Sequence, residues 1–339
     1  MTTTRSASPR PRVMIYEKIG PGTHLVEELA THGIDADQPF GPESTLLRHA
    51  PISEDRMIEL AAGYDGLIGI SGSKLTRRVF EALPQLKYVS KIGIGYDVID
   101  IDAANDLGVK VTNTPSPIEI ISVAEHAVTL ILAAAKRLDY YSLDRIRSGG
   151  WTDSVIRSRN LYGSTLGLVG YGRIARAVAS RLAPWGVNIV AYDVASIEDS
   201  EGVRMVSLDE LLSVSDVVSL HAPSFAGGKP VLDAGAIGRL KRGAIVVNTA
   251  RGVLVDQDAL SQALASGQVS VAALDVFEPE PPPGDLELFT NSNLLTTPHC
   301  AANVVEAEAD MERMAVTNMV ELLAGGEPTS LITARTVAP

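Results

Sequence analysis

Three side chains in the second half of the chain are of the types that proton and hydride chemistry at a hydroxy acid requires: Arg251, Glu280 and His299. Such a reaction needs a cation for the carboxylate, a group that takes or gives the hydroxyl proton, and a partner that orients that group. Arg251 offers a planar fork able to grip a carboxylate through two bonds. An imidazole oriented by a carboxylate keeps one tautomer and favours its protonated form. His299 beside Glu280 would therefore be an acid in reduction and, deprotonated, a base in oxidation. Residue types alone leave a plainer alternative open, in which all three are solvated loop residues.

The elements that must position them follow from the apolar pattern. Leu166 to Val169 reads as a strand, Gly170-Tyr171-Gly172-Arg173-Ile174-Ala175 as a turn opening an amphipathic helix, and Ile189 to Tyr192 as a second strand closed by Asp193. Strand, helix, small third residue and terminal acid coincide, which is the context a dinucleotide fingerprint needs. Gly170 permits the tight turn, Gly172 lets backbone approach a pyrophosphate, and Ala175 lets helix and strand pack closely. Asp193 is placed for the ribose hydroxyls and against a 2′-phosphate, so NAD is expected over NADP. Further strands end at His221-Ala222-Pro223, at Asn248-Thr249-Ala250-Arg251-Gly252, at Asp275 and at His299. Ligands of open α/β sheets bind beyond the strands' carboxyl ends, so these clusters should converge on one crevice.

The first part of the chain repeats the alternation, with strands expected at Val13 to Tyr16, Leu67 to Ile70 and Val89 to Ile92, and helices at Leu25 to Thr31 and Asp55 to Ala61. The turn Asn113-Thr114-Pro115-Ser116-Pro117 marks a domain boundary. The run Ser122 to Leu138 is apolar on nearly every face and should be buried between domains or subunits. A last helix, Val304 to Ala324, has no expected following strand and should return to the first lobe.

The length of 339 residues suggests two domains. A single cysteine, Cys300, excludes an internal disulfide framework, and the six histidines show no metal-site spacing, so no metal and a cytoplasmic, reducing setting are expected. A net charge of −12 opposes binding to nucleic acid or anionic membranes and means that an anionic substrate needs local cations. No apolar run reaches the ~18 residues of a membrane span. Residues 1–12 read as a disordered tail, with a transit peptide as the alternative.

The runs Gly93-Ile94-Gly95-Tyr96-Asp97, Asn113-Thr114-Pro115, Val123-Ala124-Glu125-His126, Asn248-Thr249-Ala250-Arg251-Gly252, Ala273-Leu274-Asp275-Val276-Phe277-Glu278 and Thr297-Pro298-His299 resemble, in order, those of the D-2-hydroxyacid dehydrogenases. The resemblance spans roughly residues 13 to 325. It implies an α/β protein of two Rossmann-like or flavodoxin-like domains with parallel sheets. An NAD-binding domain, 115–303, would be inserted into a substrate domain made of 13–114 and 304–332. It implies a homodimer joined through the Ser122 to Leu138 helix. Arg251 would bind the carboxylate and polarise the carbonyl of a 2-oxo acid, Glu280 would orient His299, and His299 would donate the proton. Ser71, Lys91, Gly93, Ile94 and Gly95 would add substrate contacts, the loop through backbone N–H groups. Asp275 would hold the nicotinamide carboxamide. Arg173, Ile174, His221, Ala222, Pro223, Thr249, Ala250 and Ala301 would line the cofactor.

Departures from the family pattern bear on the substrate. Phosphoglycerate dehydrogenases of this kind place an arginine where Ile70 stands, and some carry a long regulatory C-terminus that this chain lacks. Lys91 and Lys74 remain as cations for a phosphate. Formate dehydrogenases have Gln in place of Glu280, and phosphite dehydrogenases have Lys in place of Ile94. The segment Arg147-Ser148-Gly149-Gly150-Trp151-Thr152 looks like glyoxylate and hydroxypyruvate reductases, in which the tryptophan can reach the partner's active site; a buried core tryptophan is the alternative. The expected substrate is a small 2-oxo acid, glyoxylate or hydroxypyruvate, with a short phosphoglycerate dehydrogenase as the alternative. The family's NAD-sensing corepressors supply an alternative of another class.

Overall fold

A computed structural model describes residues 10–16, 24–39, 51–70, 72–141, 143–151, 158–195, 198, 202–224 and 229–333. Ser71, Thr152 and the first nine residues, on which some of the sequence expectations fall, lie outside the described residues. The chain divides into two units, Met1–Glu119 with Val305–Pro339, and Ile120–Val304. The first crossing falls a few residues after the Pro-bearing turn, inside a helix, so a composition change marks the neighbourhood of the crossing but not its residue.

The first unit is built on β1 (Arg12–Ile15), β2 (Asp35–Asp37), β3 (Gly66–Gly69), β4 (Tyr88–Lys91) and β5 (Lys110–Thr112), parallel in the order β5, β4, β3, β1, β2. Between them run α1 (His24–Thr31), α2 (Glu54–Ala61), α3 (Arg77–Ala82) and α4 (Ile101–Asp106). Val13, Ile15, Ile68 and Ile92 pack under α1 and the C-terminal helix Val305–Leu323, whereas Met14, Leu67 and Val89 face α2 to α4. Apolar residues therefore occupy both faces of the central strands, as a parallel sheet with helices on each side requires. The sequence gives no sign of the short strand Leu331–Ile332, which follows the last helix and pairs antiparallel with β5. Two residues are too few to display a period of two. The edge is defined by its partner, through Leu331 opposite Thr112.

The second unit begins within α5 (Pro117–Ala135), passes the short α6 (Leu143–Arg147), and carries a seven-stranded parallel sheet. Its elements are β6 (Thr165–Val169), α7 (Arg173–Leu182), β7 (Asn188–Tyr192), β8 (Val203–Met205), α8 (Leu208–Val214), β9 (Val217–Leu220), α9 (Ala234–Arg239), β10 (Ala244–Asn248), α10 (Gln257–Ser266), β11 (Val269–Leu274) and β12 (Leu294–Thr296). Strand order is β12, β11, β10, β9, β6, β7, β8, so the winding reverses beside β6, where Gly170 stands. One face packs Leu166, Leu168, Val247 and Ala273 against α5 and α7, the other Val169, Val218, Val246 and Leu274 against α8 to α10. Each fully buried aliphatic side chain contributes about 1.5–3 kcal/mol. Helix starts are fixed by side chains: Ser207 accepts from Glu210 N–H at 3.2 Å, Asp233 from Ala236 N–H at 2.7 Å and Asp256 from Ala259 N–H at 3.0 Å.

Helix α5 corrects two expectations. It starts five residues earlier than the apolar run because Ser116 caps it, accepting from Ile118 and Glu119 N–H at 3.1 and 3.3 Å, with Pro117 as its first residue. It ends at Ala135, before Leu138, because Arg137 turns left-handed (φ 57°), with Arg137 N–H on Ala134 O and Leu138 N–H on Ala133 O. Asp139 holds the Arg137 guanidinium through Nε and Nη2 at 2.8–3.1 Å. The 19-residue helix is also long and apolar enough to cross a membrane by length and composition, contrary to the expectation from runs of residues. Ala124, Ala127, Leu130, Ile131 and Ala134 are nonetheless buried in the core of the second unit.

Candidate active site

The fingerprint turn takes the form its residue types allow. Gly170 has φ 85°, and a Cβ there would lie 2.7 Å from Ala222 N, so both conformation and space demand glycine. At Gly172, the N-cap of α7, a Cβ would meet nothing within 4 Å, which leaves the helix's first N–H groups open to an incoming anion. Ala175, in the first turn of α7, is fully buried. Asp193, at the end of β7, accepts from Tyr171 N–H at 2.7 Å and Ala195 N–H at 2.9 Å, which ties the acid to the fingerprint turn. Thr249 adds a buried hydroxyl with no hydrogen-bond partner among the described residues. A bare helix start, an acid at the end of β7 and a buried hydroxyl unpartnered among the described residues fit a dinucleotide.

Arg173 and Pro223 are exposed, Ile174, His221 and Ala250 half-buried, and Ala222, Thr249 and Ala301 buried, all in the second unit beyond strand ends. His221 bonds Ser219 Oγ through Nε2 at 2.9 Å, and burial lowers its pKa to about 4, which keeps the ring neutral.

Arg251, Glu280 and His299 come together beyond β10, β11 and β12. Asn248 shapes the loop after β10, donating to Arg251 O at 2.8 Å and accepting from Ala250 N–H at 3.0 Å, while Arg251 Nη1 donates to Ala250 O at 2.7 Å. Gly252 permits the next loop to cross, since a Cβ would fall 2.0 Å from the Phe277 carbonyl. Glu280 accepts from Phe277 N–H at 2.9 Å and from His299 Nδ1 at 2.6 Å. Burial pushes the Glu280 carboxyl up. The bond and charge of His299, the Phe277 N–H and the Arg251 charge outweigh it and hold the group below the usual carboxylate range. His299 sits at φ 50°, a left-handed conformation uncommon for a non-glycine residue, held by its N–H on Asp275 O at 2.7 Å and Thr297 O at 3.1 Å.

A second polar cluster went unrecognised. Fully buried Asp275 accepts from Thr297 Oγ1 at 2.5 Å, Cys300 N–H at 2.9 Å and Ala301 N–H at 3.1 Å, and Thr297 Oγ1 lies 2.9 Å from His126 Nε2. Burial raises the Asp275 carboxyl, but the nearby His126 ring, the Thr297 hydroxyl and the two N–H groups together hold it below its ordinary value. Burial, and then the charge of Asp275, push the Cys300 thiol up. His126, Asp275 and Cys300 are all possible metal-ligand types, with ligand atoms within 4.8 Å of one another, but the Thr297 hydroxyl already bridges two of them. The motif Val123 to His126 was visible in the sequence, whereas its meeting with Thr297, 171 residues on, was not.

In the first unit two expected substrate contacts already hold internal partners. Lys91 is 5% exposed, with Nζ on Ile70 O at 2.5 Å and Ile92 O at 2.7 Å, so its charge lies beneath the Gly93 loop instead of projecting from it. The loop N–H groups of Gly93 and Ile94 are engaged, by Thr114 Oγ1 at 2.7 Å and by Glu119 Oε1 at 3.3 Å. Gly95 is half-buried. Trp151 is 81% exposed, which rules out a core tryptophan.

Comparison with known proteins bears on this geometry. The D-isomer specific 2-hydroxyacid dehydrogenase NAD binding domain matches residues 128–301. The chain belongs to the D-isomer specific 2-hydroxyacid dehydrogenase family. It is 38% identical to a glyoxylate reductase of Korarchaeum cryptofilum over 92% of this chain and 96% of that one. It is 36% identical to a D-3-phosphoglycerate dehydrogenase of Archaeoglobus fulgidus, over 89% of this chain but 57% of that longer one. A crystal structure of a D-lactate dehydrogenase from Aquifex aeolicus, complexed with NAD and lactic acid, superposes with a TM-score of 0.83 at 28% identity, covering 96% of this chain and all of that one. As a member of the family this dehydrogenase is an NAD-dependent oxidoreductase acting on CH–OH groups.

Proposed function

We propose that this dehydrogenase reduces a small, unphosphorylated 2-oxo acid, glyoxylate or hydroxypyruvate, with Arg251, Glu280 and His299 as its working residues. The observation that carries the reading is the 2.6 Å bond from His299 Nδ1 to Glu280, with the Arg251 charge acting on the same carboxylate. A carboxylate at Nδ1 only accepts, so Nδ1 keeps its proton and Nε2 is the atom that gives one to the substrate oxygen. Bound NADH supplies the hydride. Arg251, with Nη1 anchored on Ala250 O, presents the planar guanidinium that would grip the substrate carboxylate and draw density from the neighbouring carbonyl. Gly170, Gly172, Asp193 and Thr249 would hold the dinucleotide, and Asp193 sets it as NAD, because a 2′-phosphate would meet a like charge.

The absence of phosphate in the proposed substrate rests on charge. A phosphate brings about two further negative charges, and the Lys91 ammonium is committed to two carbonyls. Catalytic efficiency should be higher for hydroxypyruvate than for its 3-phosphate, compared at low salt, where electrostatic help to the phosphate is greatest. A clear preference for the phosphate, lost in Lys91→Ala, would make the chain a phosphoglycerate dehydrogenase. No turnover of any 2-oxo acid despite NADH binding would favour an NAD-sensing scaffold.

A homodimer is part of the proposal, but with its surface moved. Most of α5 is consumed by the core of its own unit. Leu138, Tyr141, Leu143, Ile146 and Trp151 instead leave apolar surface exposed around α6, the kind of surface a second copy covers. Leu143→Asp should shift the mass in light scattering from dimer to monomer, and an unchanged mass would remove this surface from the interface.

A further inference from the structure

We infer that His126 is a positioning residue: through the Thr297 hydroxyl it fixes the Asp275 carboxylate in the orientation that receives the nicotinamide carboxamide. The inference rests on the reading of Asp275 as the acceptor of the carboxamide NH2. Hydrogen-bond accounting assigns the protons shared by His126, Thr297 and Asp275. Asp275 is fully buried, and its ionised carboxylate can only accept. The Thr297 hydroxyl, 2.5 Å from Oδ1, has one proton and must donate it there. The same oxygen is therefore the acceptor in its 2.9 Å contact with His126 Nε2, and that nitrogen carries the hydrogen. The imidazole is thus a donor whose N–H holds the Thr297 oxygen in place. Its own 3.5 Å separation from Asp275 Oδ1 is too long for it to do so directly.

The two carboxylate oxygens are left unequal. Oδ1 takes the Thr297 hydroxyl and the Cys300 N–H, whereas Oδ2 takes the Ala301 N–H. A carboxylate offers about four acceptor positions, so among the described residues one is left for an amide donor, on the Oδ2 side. Rotation of the Asp275 side chain would lose that direction, and the bond from Thr297 opposes rotation. The same aspartate accepts the His299 N–H on its carbonyl at 2.7 Å. One residue thus carries on its side chain the cofactor contact and on its backbone the support of the proton donor. His126, on α5, is held in turn by a helix packed into the core of the second unit.

The test compares dissociation constants of NADH and of reduced 3-acetylpyridine adenine dinucleotide, whose methyl ketone lacks the amide donor, by quenching of protein fluorescence. Wild-type protein should prefer NADH. In His126→Leu, NADH should weaken on the order of tenfold, as expected for one charge-assisted bond misdirected, while the analogue changes less than about twofold. His126→Gln, whose amide can donate to Thr297, should recover most of the loss. Thr297→Val should reproduce the Leu phenotype, and the double variant His126→Leu/Thr297→Val should be no worse than either alone. Equal weakening of both dinucleotides in His126→Leu would make the histidine a packing residue only and overturn the inference. So would wild-type affinity for NADH in that variant. Equal affinity of the wild-type protein for the two dinucleotides would instead overturn the reading of Asp275 itself, an outcome distinguishable because it needs no variant.

Discussion

Replacing Glu280 with glutamine tests the proton donor with little change of shape. Glu280 uses both oxygens as acceptors, Oε1 for Phe277 N–H at 2.9 Å and Oε2 for His299 Nδ1 at 2.6 Å. Glutamine has one oxygen. If that oxygen stays on Phe277, its NH2 group faces Nδ1–H and two donors oppose each other; if the amide turns over, the Phe277 N–H is stranded. The lost charge-assisted bond is worth about 1.5–3 kcal/mol. The His299 side chain is 50% exposed and that of Glu280 35%, so solvent screening calls for the lower end of that range. A stranded or opposed donor costs about 1–3 kcal/mol more. Together these predict that kcat falls by about a hundredfold to a thousandfold, with NADH affinity retained. The assay is NADH oxidation by absorbance across the neutral pH range under saturating 2-oxo acid. A glutamine variant with wild-type kcat would refute the pairing.

Three further outcomes follow from the same geometry. Arg251→Lys keeps the charge but loses the fork, so kcat/KM should fall on the order of a hundredfold while NADH affinity barely changes; wild-type turnover would remove Arg251 from substrate. Asp193→Ala should improve NADPH relative to NADH, read as the ratio of kcat/KM for the two, and an unchanged ratio would place Asp193 away from the ribose. Stability should fall as pH drops from 6.5 towards 4, because an unfolded chain protonates His221 near its ordinary value whereas the folded ring resists until about 4. That gap is worth up to about 3 kcal/mol. The depressed carboxyls of Asp275 and Glu280 act with the same sign, their contribution being lost as pH falls further through their folded values. Melting temperatures of wild type and His221→Gln should therefore diverge near neutrality and converge in acid, and parallel curves would contradict the assignment.

What could be read from sequence was whatever a local period or a short spacing encodes. Strands β6 and β7 matched their apolar runs to within a residue, and the glycines of the fingerprint announced a turn that only glycine fits. The triad was legible because each member follows a strand's end. The rest depended on contacts between distant residues or on conformations with no residue signature. Arg137 and His299 adopt left-handed backbone without being glycine, so neither the end of α5 nor the pose of His299 could be seen in advance. Lys91 looked like an available cation until its ammonium was found on the carbonyls of Ile70 and Ile92. Ile94 N–H looked like an anion donor until Glu119 was found to occupy it. The Thr297 hydroxyl joins a histidine and an aspartate 149 residues apart, and no sequence pattern links them.

The central claim is that this chain passes hydride from NADH to a small 2-oxo acid with His299 as the proton donor. The most direct measurement is NADH oxidation in the presence of glyoxylate or hydroxypyruvate, run on wild type and His299→Ala together with NADH binding to each. The account predicts turnover by wild type, none detectable in the variant, and equal NADH affinity in both. Turnover by the alanine variant at the wild-type rate, or a wild-type protein that binds NADH and reduces neither acid, would contradict it.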